Sequence, residues 1–339
     1  MIPVNAGAIG LAGILLLVAL LALLGLALLA LLLALPATRP ALRRRPWRTA
    51  MAALSLLLLA LPGALLLKDV RDSERQWQAR QSALHPTLAA PLPLDELVFP
   101  AGTAVRLERA EPASDWQTGE PLPYGLETLV EAAFAEPQRI RGLAVVRLEA
   151  PPRHYVSTLF LASDQSIDGW PCARGPADFH REPADRLRPS RWRFDGCVLA
   201  PGAQLAGVVW PAGSQLQRIA EGWLLRHAGD HGVGIEHVGL PLAWLDLQLD
   251  EAGQAQGWQG ALAGNLAFGP LRYGPGTEAR MLSDGVLLFS PRRTPAQHLA
   301  QDEPITAGRS VRQAADGAVL GIHDNAELGV IDWMEFEVD

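Results

Sequence analysis

The first 67 residues contain no aspartate or glutamate, and the whole chain of 339 residues has one lysine, Lys68, three tyrosines and two cysteines. Each scarcity excludes something. A stretch of that length without acidic side chains is not the surface of an ordinary soluble domain, where charges of both signs are interspersed. The two cysteines, Cys172 and Cys197, lack the CxxC spacing of a redox site or a zinc knuckle. Also missing are a GxSxG nucleophile elbow, a GxxxxGK phosphate loop, HExxH and GxGxxG, and with them the enzyme classes built on those motifs.

What is present at the N-terminus is apolar. Residues 7–35 hold only Ala, Leu, Ile, Val and Gly, more than the roughly 20 residues that a helix needs to cross a bilayer. Residues 49–67 form a second run, near the minimum length, with Pro62 and Gly63 towards its end. A cleaved signal peptide is disfavoured, since the start carries no cation and the run is too long. Residues 1–67 therefore predict a two-helix transmembrane hairpin with an Arg-rich cytoplasmic loop over 36–48, carrying Arg39, Arg43, Arg44, Arg45 and Arg48. Positive charge stays inside, so both termini are expected to be extracytoplasmic, with Trp47 as an interfacial anchor. The preference for arginine over lysine and the abundance of Ala and Leu suit a bacterial inner (cytoplasmic) membrane protein.

Beyond residue 67 there are 24 Lys and Arg against 36 Asp and Glu, a formal charge of −12. That excess disfavours nucleic acid and anionic headgroups as partners and leaves cationic proteins open. An even cysteine pair outside the cytoplasm predicts a Cys172–Cys197 disulfide, worth roughly 3 kcal/mol in the chain-entropy model. Residues 68–93 read as a helical stalk to residue 84 followed by a Pro-rich linker, and residues 94–339 as a β-rich extracytoplasmic domain. Period-two alternation marks residues 245–249, where Leu245, Leu247 and Leu249 oppose Asp246 and Gln248, and residues 333–339, where Met334, Phe336 and Val338 oppose Glu335, Glu337 and Asp339. Helix formers before Pro137 predict one helix over 126–135.

A degenerate motif recurs in VFPAGTAVRL, IRGLAVVRL, IDGWPCARG, LAGVVWPAGSQL, VGLPLAWLDL and LAGNLAFG, whose starts are 42, 27, 38, 33 and 24 residues apart. Irregular spacing argues against a strict solenoid and for antiparallel strand-turn-strand units with variable loops. Over residues 160–290, on IDGWPCARG, DGCVLAPG and VVWPAGSQL, the pattern resembles the glycine-punctuated hairpin arrays of the MORN repeat class and repeat-bearing bacterial membrane proteins. The aromatic-Gly-x-aromatic-x-Gly rhythm of that class is missing. The resemblance implies a stacked hairpin architecture used for binding.

Three groups are candidates for a site. His227, Asp230, His231, Glu236 and His237 have metal-ligand chemistry, set against the simpler reading of a glycine-rich wet turn. Asp164 and Asp168 lie four apart, and an Asx turn competes with acid-base work. Trp170, Trp192, Trp210, Trp223, Trp244 and Trp258 suit sugar stacking if exposed and a thin sheet core if buried. The reading these observations favour is a membrane-anchored, non-enzymatic binding or scaffold protein of the bacterial envelope, an assembly factor or immunity-type protein, with an envelope or secreted protein as partner and no cofactor. The alternatives are a metal-dependent hydrolase using the 227–237 cluster and a cell-wall saccharide binder.

Overall fold

The structure is a computed structural model that describes residues 6–35, 46–229, 234–300 and 304–330. The expected strand at 333–339, together with Arg39, Arg43, Arg44, Arg45, Asp230 and His231, lies outside the described residues. The chain divides into two compact units, Met1–Leu84 and His85–Asp339.

The first unit is helical, with α1 over Ala6–Ala34 and α2 over Pro46–Leu84. Small residues form the seam between them: Ala19, Ala22 and Ala60 are buried, and a Cβ on Gly25 would stand 3.1 Å from the Leu56 side chain. Leu20, Leu21, Leu24, Leu57 and Leu58 are exposed. Among the described residues one helix, Trp47–Leu84, is long and apolar enough to cross a membrane; the apolar part described in α1 is Leu17–Leu32. Helix α2 continues through Pro62, which removes one backbone donor, and its polar second half from Lys68 onwards stays helical.

The second unit is mainly β. Fourteen strands follow one another across a single antiparallel sheet in chain order: β1 Ala104–Leu107, β2 Leu129–Ile140, β3 Leu143–Glu149, β4 Val156–Leu161, β5 Trp170–His180, β6 Arg193–Leu199, β7 Gln215–Ile219, β8 Gly222–His227, β9 Leu240–Leu249, β10 Ala255–Leu262, β11 Glu278–Met281, β12 Leu287–Ser290, β13 Arg309–Gln313 and β14 Val319–Asp324. Short strands Gln165–Ile167 and Ile235–His237 flank β5 and β9.

Registry explains where the core sits. Val105, Ala132, Leu148, Leu159, Ala177, Cys197, Leu216, Leu225, Leu247 and Trp258 stand directly opposite one another on ten successive strands, and every one is buried. A parallel row runs through His227, Leu245, Gly260, Ala279, Phe289 and Val311 to Ile322. Short hairpins between the long strands supply cover: Phe268 and Tyr273 pack on Phe289 with ring centres 5.5 and 4.4 Å away. Direct cross-strand contact of apolar side chains is the unit of stability in such a sheet.

Two turn types account for the recurring motif. Arg141-Gly142, Asp168-Gly169, Ala206-Gly207 and Val238-Gly239 all have positive φ at both positions, the type I′ geometry that matches strand twist. The other type is Pro100-Ala-Gly-Thr103, Pro211-Ala-Gly-Ser214 and Gly274-Pro-Gly-Thr277. In each, the last hydroxyl donates to the first residue's carbonyl, at 2.7, 2.8 and 2.8 Å, and the preceding aromatic, Phe99, Trp210 or Tyr273, is buried. The disulfide joins Cys172 to Cys197 with a Cα separation of 5.8 Å.

Two expectations are corrected. The segment expected as a helix over 126–135 is a short 3-10 turn, Gly125–Thr128, followed by β2; pairing with β1 on one side and β3 on the other outweighs the helix propensity of its Glu and Ala residues. The Pro-rich stretch 85–93 is no free linker. Val105 donates to the Pro86 carbonyl and Leu88 to that of Thr103, so these residues close the outer edge of β1.

Candidate interaction surface

His227 and His237 of the proposed cluster are held apart along β9. His227 ends β8 opposite Leu245, and His237 ends its short strand opposite Leu240. Both neighbours lie on β9, five residues apart, which at about 3.4 Å per residue is a separation of ~17 Å. His227 is buried with its Nδ1 3.2 Å from the Ser214 hydroxyl. His237 meets the edge of Trp258 at 5.2 Å, its buried Nε2 has no hydrogen-bond partner among the described residues, and burial holds its pKa below the usual imidazole value. Glu236 is exposed. Among the described residues no three His, Cys, Asp or Glu side chains converge.

The Asp pair is structural. Asp164 Oδ1 accepts the Arg174 backbone N–H at 2.7 Å, and Asp168 occupies the first left-handed position of its turn. The tryptophans named from sequence line the core or its margins. Trp192, Trp210, Trp223 and Trp258 are buried and Trp170 and Trp244 half-buried. The Trp192 and Trp210 indoles donate to the carbonyls of Asp185 and Leu205. Trp170 lies 5.1 Å from Trp223, which also carries Arg218 over its face at 4.2 Å.

Among the described residues of the β unit, Trp116 is the aromatic most open to solvent. Trp116 is 86% exposed, at the tip of a hairpin whose arms are Ala113–Ser114 and Pro121–Leu122. The tip is braced from within. Asp115 Oδ1 accepts the N–H groups of Gln117 and Thr118 at 2.8 and 3.1 Å, while its backbone N–H donates to Glu120 and its carbonyl accepts from Gly119. These hydrogen bonds hold the Asp115 carboxyl below its usual pKa. Tyr124, half exposed, follows the second arm, and Arg109 fixes the base by donating to the Pro123 carbonyl at 2.8 Å. Glu111, Asp115 and Glu120 give the hairpin an acidic rim. In the sequence the signal for Trp116 is SDWQTGE, an Asx-turn residue followed by Trp and a glycine in a polar segment.

A polar cleft of roughly 250 Å³ opens elsewhere, between β9 and the last described residues, lined by Trp244, Gln259, Glu278, Arg280, Arg292 and Val330 among others. Arg292 donates to Glu278 at 2.7 Å and Arg280 to the Leu328 carbonyl at 3.0 Å. Ser290, the one hydroxyl among its described lining residues, shares a hydrogen bond with Ser310, which in turn donates to Asn325. Two arginines, Arg181 buried and Arg186 half-buried, fasten the loop after β5: Arg181 donates to the Ser157 hydroxyl and the Pro151 carbonyl, Arg186 to the carbonyls of Glu127, Leu129 and Ala150. Burial and the nearby Arg186 lower the Arg181 pKa to about 10.

Comparison with known protein families, curated proteins and solved structures returns no match to this chain.

Proposed function

We propose that the chain is a membrane-anchored binding or scaffold protein of the bacterial envelope, whose β unit meets an envelope or secreted protein through the Trp116 hairpin. The exposed indole carries this reading. Tryptophan is enriched where protein surfaces meet, and a tip already held by its own hydrogen bonds loses little freedom on docking. The acidic rim selects a partner whose apolar pocket is edged by basic groups.

The anchor is the pair α1 and α2, crossing the inner membrane with the Arg-rich segment 36–48 on the cytoplasmic side and both termini outside. Two observations support it. Leucines turned outward around a seam of small residues suit a lipid environment, in which close backbone approach replaces the hydrophobic effect as the driving force. The Cys172–Cys197 disulfide suits an oxidising compartment on the far side.

Crosslinking in native membranes, detergent extraction and mass spectrometry test the binding role. The full chain is expected to bring down a reproducible protein partner, and Trp116→Ala to lose it while its thermal melt stays within about 0.5 kcal/mol of the parent. Equal recovery with both chains would remove the hairpin from the interface. A second reading rests on the same side chains: Trp116 and Tyr124 offer faces for a cell-wall saccharide. It predicts quenching of tryptophan fluorescence by glycan fragments in the parent and not in Trp116→Ala.

A further inference from the structure

Among the described residues of the β unit the exposed aromatic side chains are Trp116 at 86%, Tyr155 at 55% and Tyr124 at 50%. All three leave the same end of the sheet. Trp116 and Tyr124 belong to the connection from β1 to β2, and Tyr155 closes the connection from β3 to β4. Strand pairing brings the two connections together, since Leu107 faces Leu129, Glu131 faces Glu149 and Glu149 faces Thr158.

The polar groups at this end divide into those spent on bracing and those left to solvent. Arg186 ties the connections to each other by donating to the carbonyls of Glu127 and Ala150, at 2.8 and 3.3 Å. Arg181 fixes the second one: its backbone N–H donates to the Tyr155 carbonyl at 2.7 Å, and its side chain to Pro151 and Ser157, both at 2.7 Å. The Tyr155 ring in turn lies on the His180 imidazole, 6.2 Å between centres and 10° from parallel. Arg153 and His154 are exposed, and among the described residues their side chains make no hydrogen bond or ion pair.

Charge is divided along the same end. Glu111, Asp115 and Glu120 surround Trp116 in the chain, whereas Arg153 and His154 precede Tyr155. The two regions adjoin, because the Arg153 guanidinium adds to the Gln117 and Thr118 hydrogen bonds that do most to lower the Asp115 pKa. Exposed Trp and Tyr on braced loops have the composition of an interface core, with charges at its rim. Charges of both signs favour a polypeptide surface of complementary charge over a neutral glycan.

We propose that Tyr155, on its His180 platform, is a second anchor for the protein that docks on the Trp116 hairpin, and that this partner sets an acidic group against Arg153. The inference rests on the hairpin reading above and adds to it the partner's second contact and the sign of its charge. Arg181 and Arg186 are positioning residues. They order both connections before the partner arrives, which reduces the freedom lost on docking.

The test places the photoreactive residue benzoylphenylalanine at Trp116, at Tyr155 or at Val209, in the full chain in its native membrane. Val209 is exposed in the connection from β6 to β7, at the opposite end of the sheet. Illumination is expected to give one discrete adduct of the same mass from Trp116 and Tyr155, with the same partner by mass spectrometry, and none of that mass from Val209. Arg153→Gln should lower the Tyr155 yield roughly threefold and Arg153→Lys keep it, with the thermal melt unchanged in both. An adduct from Trp116 alone, or the same adduct from Val209 as well, overturns the second anchor and leaves the hairpin reading standing; no adduct from Trp116 or Tyr155 overturns both. A ladder of products that collapses on lysozyme digestion identifies a cell-wall glycan and overturns the protein partner. Equal Tyr155 yields in the parent and Arg153→Gln overturn the acidic counterpart.

Discussion

At the scale of single residues, the polar groups buried in the sheet serve the fold. Three buried hydroxyls, on Thr103, Ser214 and Thr277, close turns, and Arg226 clasps Asp246 across β8 and β9 with bonds of 2.8 and 3.0 Å. Gly222 has no freedom to vary, since at φ +132° a Cβ would stand 2.1 Å from the Leu249 carbonyl oxygen. His237 is the exception that titrates. Burial lowers its pKa below the unfolded value of about 6.5, so the fold prefers neutral imidazole. Its contribution to stability is complete above the unfolded pKa and is lost as pH falls through 6.5 towards the folded value. The urea midpoint of the β unit should therefore drop between pH 7.5 and 5.5, and His237→Gln should flatten that slope. An identical slope in the variant would place the effect on other groups. Sequence alone marked His237 for metal chemistry because five polar side chains crowd residues 227–237. It could not show that β9 holds His227 and His237 apart.

At the scale of elements, turns define the repeat and the strand lengths between them vary. This is why the motif is visible in sequence although its spacing is not constant. Glycine at the second place of each I′ turn is readable from the sequence, as only glycine takes that geometry without cost. The first place is less obvious. Val238, exposed and β-branched, sits there at φ +46°, a conformation that costs a non-glycine residue roughly 1–2 kcal/mol and that Asn tolerates best. Val238→Asn is expected to raise stability by about 1 kcal/mol by chemical denaturation; no gain would mean that Val238 is held by contacts the free chain also keeps. Helix propensity misled at β2 for the converse reason. Leu129 and Ala132 are fully buried, and Ala132 stands between Val105 upstream and Leu148 downstream on the two flanking strands, a pairing invisible in the local composition.

At the scale of the whole molecule, strands that follow one another in the chain are neighbours in the sheet, so the sheet behaves as a linear array whose stability adds strand by strand. The disulfide is the one covalent tie in it, linking residues 25 apart on β5 and β6. Its removal by Cys172→Ala with Cys197→Ala should cost about 3 kcal/mol, from the loop length alone, read as a shift in the urea midpoint; a shift below 1 kcal/mol would mean that β5 and β6 are already ordered in the unfolded chain. By itself the sequence determined the division into an apolar, acid-free N-terminus and an acidic β-rich remainder, the alternation that buries Leu245, Leu247 and Leu249, and the glycine turns, because each depends on residues adjacent in the chain. Tertiary structure decided which Trp faces water, that residues 86–88 close the edge at β1, and that residues 129–140 extend. These depend on what lies across a strand or over a face, and that partner is chosen by the assembled sheet.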